Sequence, residues 1–299
     1  MKIAVLDIGG TAIKYCLYDD SIPFKNHLVR EVPTHALLGG KKVIEQAIDL
    51  LNGMGTFDAV GISSAGQIHP ETGTVIYATD NIPGYTGMRI REILEDRFCV
   101  PVMVENDVNA AALGEAAFGA GRGQRDFLCL TYGTGIGGAF LADGKIYHGS
   151  SYSAIEAGHM LLHAGGRPCT CGNRGCYEMY ASATALVCLA QKSSGIENLN
   201  GRRIFSEFRS DIRVQSAVYE WMREILWGLA SLTHLFNPSC IILGGGIMSE
   251  PFIPKWLNDH IREYVMNSYR DVKILPAMLG NTAGLQGMIY LVNNKIVKQ

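Results

Sequence analysis

Three cysteines, Cys169, Cys171 and Cys176, are packed into positions 169–176, and His159 lies ten residues before the first of them. The chain has eight cysteines, and the other five (Cys16, Cys99, Cys129, Cys188 and Cys240) are scattered in apolar surroundings, where they read as buried free thiols. In a reducing compartment a tight cysteine cluster points to a metal before a disulfide. The intervening Gly172-Asn173-Arg174-Gly175 makes a poor core, so three ordinary buried cysteines beside an unrelated histidine is the weaker alternative. Three thiolates and one imidazole form a complete tetrahedral set for a structural Zn²⁺, with no position left for water. Its work would be to order a loop with little apolar content of its own.

Three glycine turns form the second group: Gly9-Gly10-Thr11, the stretch 133–138, and Gly244-Gly245-Gly246. Each follows an apolar run of strand length. Backbone amides in such turns can approach phosphate closely, because no Cβ intrudes. A single glycine turn is more often just a turn, whereas three at strand ends favour a phosphate ligand. The stretch from Gly133 to Gly138 also satisfies the dinucleotide pattern G-x-G-x-x-G, but that fingerprint must open a helix. Here Ala139-Phe140-Leu141 continues as a strand, which excludes an NAD site, and no Walker A motif is present. The third group is Glu105-Asn106-Asp107, at the end of a strand and the start of a helix, where Asn and Asp are also favoured as caps.

The elements that must position these groups follow from periodicity. Strands are expected over 3–8, 13–18, 57–63, 102–105, 127–131, 139–142 and 240–243. Helices are expected over 43–51, 88–98, 108–118 and 214–235, with a final one from about Ala283. The units around Asp7-Ile8-Gly9-Gly10-Thr11 and around 131–138 are both strand, glycine turn, strand, about 125 residues apart. That duplication predicts two similar α/β lobes, and a cleft between lobes is a common place for a ligand. The 299 residues, 47% hydrophobic and 18% charged with net charge −2, suit two cores and give no nucleic-acid or membrane surface. No apolar run approaches the roughly 20 residues of a membrane span, and the start has no signal-peptide pattern, so the expected location is cytoplasmic.

These residues carry a family resemblance. Asp7-Ile8-Gly9-Gly10-Thr11 resembles the first phosphate motif of the actin, heat-shock chaperone and hexokinase superfamily. Glu156-Ala157-Gly158-His159, followed by Cys169-Thr170-Cys171, Gly175-Cys176 and Glu178, resembles the signature of the ROK family of bacterial repressors, open reading frames and sugar kinases. The likeness runs from Asp7 to Ala283-Gly284. It implies two ribonuclease H-like (actin-like ATPase) lobes with an interlobe cleft, the first lobe being 1–118 plus 283–299 and the second, with the zinc loop, 119–282. The implied activity is ATP-dependent phosphorylation of a hexose hydroxyl, the 6-hydroxyl of glucose first. N-acetylmannosamine or another hexose or glucoside is the alternative substrate.

Residue roles carry over by position. Asp107 would orient the attacking hydroxyl and accept its proton, as a weak base with a pKa near 4. Gly66, Asn81, Asn106, Glu156, His159 and Glu178 would bind the sugar, whose hydroxyls both donate and accept. His159 would serve zinc with one ring nitrogen and the sugar with the other. Gly9, Gly10, Thr11, Thr134 and Gly135 would cradle phosphates, and Gly244, Gly245 and Gly246 would lie beside adenosine. Asp7 would hold Mg²⁺, and Lys14 would neutralise phosphate charge, although a solvated strand lysine is an equal reading. The family usually has glycine before Glu156. Ile155 is β-branched and resists positive φ, so the loop carrying Glu156 is expected to sit differently, with substrate identity at stake. The resemblance implies a dimer or tetramer. A sugar-responsive repressor would carry a helix-turn-helix before the phosphate motif, for which a start at Asp7 leaves no room. A sugar-binding protein without turnover would not need Asp107 and the phosphate turns.

Overall fold

The computed structural model describes residues 1–296; positions 297–299 of the expected first lobe lie outside the described residues. The chain divides into two compact units. One comprises Met1–Gly119, His148–Ala154 and the segment from Asn281 onward; the other comprises Ala120–Tyr147 and Ile155–Gly280.

The first unit opens on β1 (Lys2–Ile8), whose apolar run folds back through the glycine turn into β2 (Ala12–Asp19), with β3 (Arg30–Pro33) added antiparallel. Helix α1 (Gly40–Asn52) buries Val43, Ile44, Ala47 and Leu51, residues at helical spacing on one face. It leads to β4 (Ala59–Ser64), buried along its whole length, which pairs parallel to β1. A small hairpin, β5 (Gln67–His69) and β6 (Thr74–Tyr77), precedes α2 (Ile90–Phe98). Strand β7 (Val102–Asn106) pairs parallel to β4 and runs directly into α3 (Asp107–Phe118). The sheet order is β3-β2-β1-β4-β7.

The second unit repeats the scheme. Strands β8 (Phe127–Tyr132), β9 (Ile136–Ala142) and the short β10 (Lys145–Ile146) form an antiparallel meander. The chain then passes through α4 (Glu178–Ala181), α5 (Ala183–Ser194), α6 (Gly201–Ser206) and the long α7 (Ile212–Phe236). Asp211 caps α7 by accepting from the N–H groups of Arg213 and Val214, and Asn237, left-handed at φ 45, ends it before Pro238. Strand β11 (Cys240–Gly244), α8 (Phe252–His260) and β12 (Lys273–Pro276) follow. This sheet has the order β10-β9-β8-β11-β12, position for position the order of the first. The expected duplication is therefore a repeated fold: a three-stranded meander extended by two parallel strands.

The last described element is α9 (Ala283–Ile296), which lies in the first unit against α3 and β4. Side chains would obstruct this packing: a Cβ on Gly114 would meet the Ala283 carbonyl, and one on Gly287 would meet the Ala110 carbonyl. Leu285, Met288, Ile289 and Val292 close a core with Ile3, Val5, Ala59 and Ala110. Two cysteines depart from expectation, since Cys99 and Cys188 are exposed while Cys16, Cys129 and Cys240 are buried. Among the described residues no helix is long and apolar enough to cross a membrane.

Candidate functional site

In the first unit the sheet register sets chemistry side by side. Asp7 on β1 pairs with Lys14 on β2 and with Ser63 on β4, and Ser63 pairs in turn with Glu105 on β7. Ser63 donates its hydroxyl to Asp7 Oδ1 at 2.5 Å, and Lys14 Nζ lies 3.9 Å from Oδ2. Lys14 is thus partly buried beside a carboxylate rather than free in solvent. Burial pushes the Asp7 pKa up, and Ser63 and Lys14 only partly offset it. A carboxylate held in this way is relieved by a nearby cation, which suits the residue to holding Mg²⁺. Gly9, Gly10 and Thr11 make the turn beyond Asp7; the Gly9 N–H donates to Ala12 O, Thr34 Oγ1 donates to Gly9 O, and Gly10 and Thr11 are exposed.

Asn106 and Asp107 stand where β7 becomes α3. Asn106 is the cap that its type suggested: its Oδ1 accepts from the N–H groups of Val108 and Asn109. Its amide nitrogen donates to Gly66 O and to Asp107 Oδ1, both at 2.9 Å. Capping and site placement are therefore one arrangement. Gly66 takes φ 94 with Tyr77 O 2.9 Å from where a Cβ would be, so only glycine presents its carbonyl to Asn106 without strain. Asp107 corrects the expectation of an ordinary carboxylate. Burial above all, and then the charge of Asp7, raise its pKa to about 7, against the bonds from Val108 and Asn106. A carboxylate poised there is a far better base at neutral pH than one near 4. Asn81 is exposed in the loop after β6.

In the second unit Glu178 is central. Ile136 N–H points at its Oε2 at 3.4 Å, the carboxylate fills the space where a Gly135 Cβ would be, and Cys169 Sγ donates to its Oε1 at 3.3 Å. One side chain thus touches both the β8–β9 turn that carries Thr134 and the cysteine cluster. Gly244 is buried at the end of β11, and Gly245 and Gly246 are exposed. Gly245 has φ 97 and lies hard against the Tyr132 backbone, which leaves no room for a side chain.

The four candidate zinc ligands come together. One ligand atom from each of His159, Cys169, Cys171 and Cys176 lies within 4.8 Å of all the others. Cys169 Sγ is 3.7 Å from His159 Nδ1, and Cys171 Sγ is 3.6 Å from Cys176 Sγ. Zinc–sulfur bonds of about 2.3 Å in a tetrahedron place sulfurs about 3.7 Å apart, so the donor set fits the ion. Because Nδ1 faces the cluster, Nε2 of His159 is left for another partner. Its loop has little regular structure, only the bridges Leu161–Cys176 and Pro168–Arg174, which is the situation in which a metal contributes most order.

Ile155 overturns one expectation. It does adopt the left-handed conformation, at φ 64, despite its branched Cβ. Its carbonyl and Cγ2 lie 2.7 and 2.8 Å from where a Cβ on Gly138 would stand, so the absence of a side chain at 138 admits it. The exposed Glu156 therefore follows a backbone turn of the sign that glycine would give. Two partners were not read from the sequence. Ser63 on Asp7 and His148 on Glu105 join residues with no local spacing to reveal them, one set by the β1–β4 register and the other by a long-range return of the chain.

Comparison with known proteins agrees with this geometry. The model of the ROK family matches residues 3–295. A glucokinase of Streptomyces coelicolor is 33% identical over 307 residues, covering 94% of each chain. A beta-glucoside kinase of Listeria monocytogenes is 31% identical over 297 residues, covering 97% of each. Among solved structures, a ROK family glucokinase from Streptomyces griseus in complex with glucose and AMPPNP superposes with a TM-score of 0.84 at 30% identity, over 97% of this chain and 99% of that one. With the repeated sheet order, the glycine turns at strand ends and the Cys/His cluster all in place, the chain belongs to the ROK family.

Proposed function

We propose that this ROK sugar kinase transfers the γ-phosphoryl group of ATP to the 6-hydroxyl of a glucose-configured hexose. The observation that carries the reading is Asp107, held by Asn106 and Val108 at the start of α3 with its pKa raised to about 7. In this reading the sugar oxygen bonds to the γ-phosphorus, the bond to the ADP oxygen breaks, and the hydroxyl proton passes to Asp107. Gly66, Asn81, Asn106, Glu156, His159 and Glu178 would bind the sugar hydroxyls, which both donate and accept. Gly9, Gly10, Thr11, Thr134 and Gly135 offer backbone and hydroxyl groups to the phosphates, and Gly244, Gly245 and Gly246 lie along adenosine. Asp7 holds Mg²⁺ with Lys14 beside it; when bound, that ion neutralises phosphate charge. His159, Cys169, Cys171 and Cys176 would hold a structural Zn²⁺, which would fix the His159 ring for its sugar contact. The relatives named glucokinase and beta-glucoside kinase support a glucose-type substrate.

The test is a coupled ADP-release assay with Mg-ATP across hexoses, N-acetylhexosamines and β-glucosides, beside an Asp107→Ala control. Turnover on glucose that disappears in the variant supports the full reading, while turnover on an N-acetylhexosamine or a β-glucoside alone moves the substrate. A protein that binds sugar and zinc but turns nothing over is a sensor or binding protein instead.

A further inference from the structure

We propose that His148 is a positioning residue for phosphoryl transfer, holding through Glu105 the backbone from which Asn106 and Asp107 project. The inference rests on the sugar-kinase reading above. Glu105 is 2% exposed, and its carboxylate is fully engaged. Oε1 accepts from the Asn106 N–H at 2.9 Å and from Asn109 Nδ2 at 3.0 Å, while His148 Nε2 meets Oε2 at 2.9 Å. A carboxylate can only accept, so His148 is the donor in this bond. The carboxylate therefore ties the residue that caps α3 to a side chain from 43 positions further along the chain.

His148 is delivered by an unusual excursion. The segment His148–Ala154 belongs to the first unit although the residues on both sides of it belong to the second. It closes on itself, with the Ala154 N–H donating to His148 O at 3.1 Å, and it turns through positive φ at Gly149 and Tyr152. The Tyr152 ring lies on that of His69 with centroids 4.0 Å apart, which fixes the segment on β5. Two long-range contacts and a left-handed tyrosine are an expensive way to end a hairpin, and they place one imidazole on one buried carboxylate. Removing a partner from such a pair leaves a buried charge under-satisfied, and Glu105 would then turn away from the Asn106 N–H.

The test is steady-state kinetics and thermal unfolding of His148→Ala, His148→Gln and Glu105→Gln, using the sugar the wild type phosphorylates. A displaced base lowers turnover steeply, so His148→Ala is expected to lose about tenfold or more in kcat/KM for the sugar, with the KM for ATP within about twofold. His148→Gln, whose amide can still donate to Glu105, is expected to recover to within about threefold of wild type. Glu105→Gln should fall with His148→Ala, and the double variant should be no worse than either single one. Wild-type sugar kinetics in His148→Ala overturns the proposal. So does a failure of Gln to restore turnover in a variant as stable as wild type. Should His148→Ala not fold, the comparison of His148→Gln with Glu105→Gln decides alone, since equal losses in both contradict the clamp. A wild type that turns over no sugar defeats the kinase reading, not the clamp; sugar affinity by calorimetry then reads it, and an unchanged Kd in His148→Ala overturns it.

Discussion

At the scale of single residues, the raised pKa of Asp107 ties activity and stability to one group. In the unfolded chain its carboxyl ionises near 4, whereas in the fold it holds its proton to about 7. Ionising it therefore costs the folded state, and its contribution is present at low pH and lost as pH rises through 7. Asp107→Asn is expected to raise the melting temperature, by more at pH 8 than at pH 5, while reducing turnover by about 100-fold or more, the usual weight of a general base. The acid limb of wild-type kcat/KM should bend near pH 7, and a limb near 4 would contradict the assignment. Ile155 gives a second prediction. Gly138→Ala drives a methyl into the Ile155 carbonyl and Cγ2, so the loop bearing Glu156 must move. Overpacking of this kind costs about 1–3 kcal/mol, seen as a lowered denaturation midpoint, and the KM for sugar should rise while that for ATP holds. The sequence makes Ile155 look prohibitive because its own Cβ is visible there and the vacancy at position 138 is not.

At the scale of elements, local patterning told a great deal. The glycine turns after β1 and β8, the cap of α3 and the amphipathic α7 follow from short-range spacing, and the cysteine cluster is visible because its thiols are so close in sequence. The β5–β6 hairpin, α5, α6 and α8 escaped that reading. They are short, or carry apolar residues without clear period, and long-range packing decides them. The Cys/His loop lies between these cases, legible as a donor set but not as a shape. Cys176→Ser is expected to abolish tight zinc retention, measured as metal per chain after dialysis, and to lower the melting temperature. Because Glu178 touches both Cys169 and the β8–β9 turn, loss of the metal should also weaken sugar phosphorylation. Full activity in a zinc-free protein would separate the loop from the site.

At the scale of the whole molecule, two sheets of identical order have been built from one chain, and the first borrows its last helix from the far end of the sequence. The α3–α9 packing depends on residues with no side chain, so Gly287→Ala should destabilise by about 1–3 kcal/mol and lower the unfolding midpoint. Asp107 opens α3, so turnover should fall in parallel. Activity retained alongside a lowered midpoint would show that α3 keeps its place without close contact to α9.

The placement of α9 also has a consequence for synthesis. Residues 1–119 leave the ribosome long before Asn281, and at about 5–20 residues per second the roughly 160 residues between them take about 8–30 s. Throughout that interval Ile3, Val5, Ala59 and Ala110 lack the partners that cover them in the finished protein. The second unit, nearly continuous in sequence, can settle first. The nascent first unit keeps that apolar surface uncovered until its own final helix arrives, and a chain stopped before position 283 lacks the helix against which α3 packs most extensively.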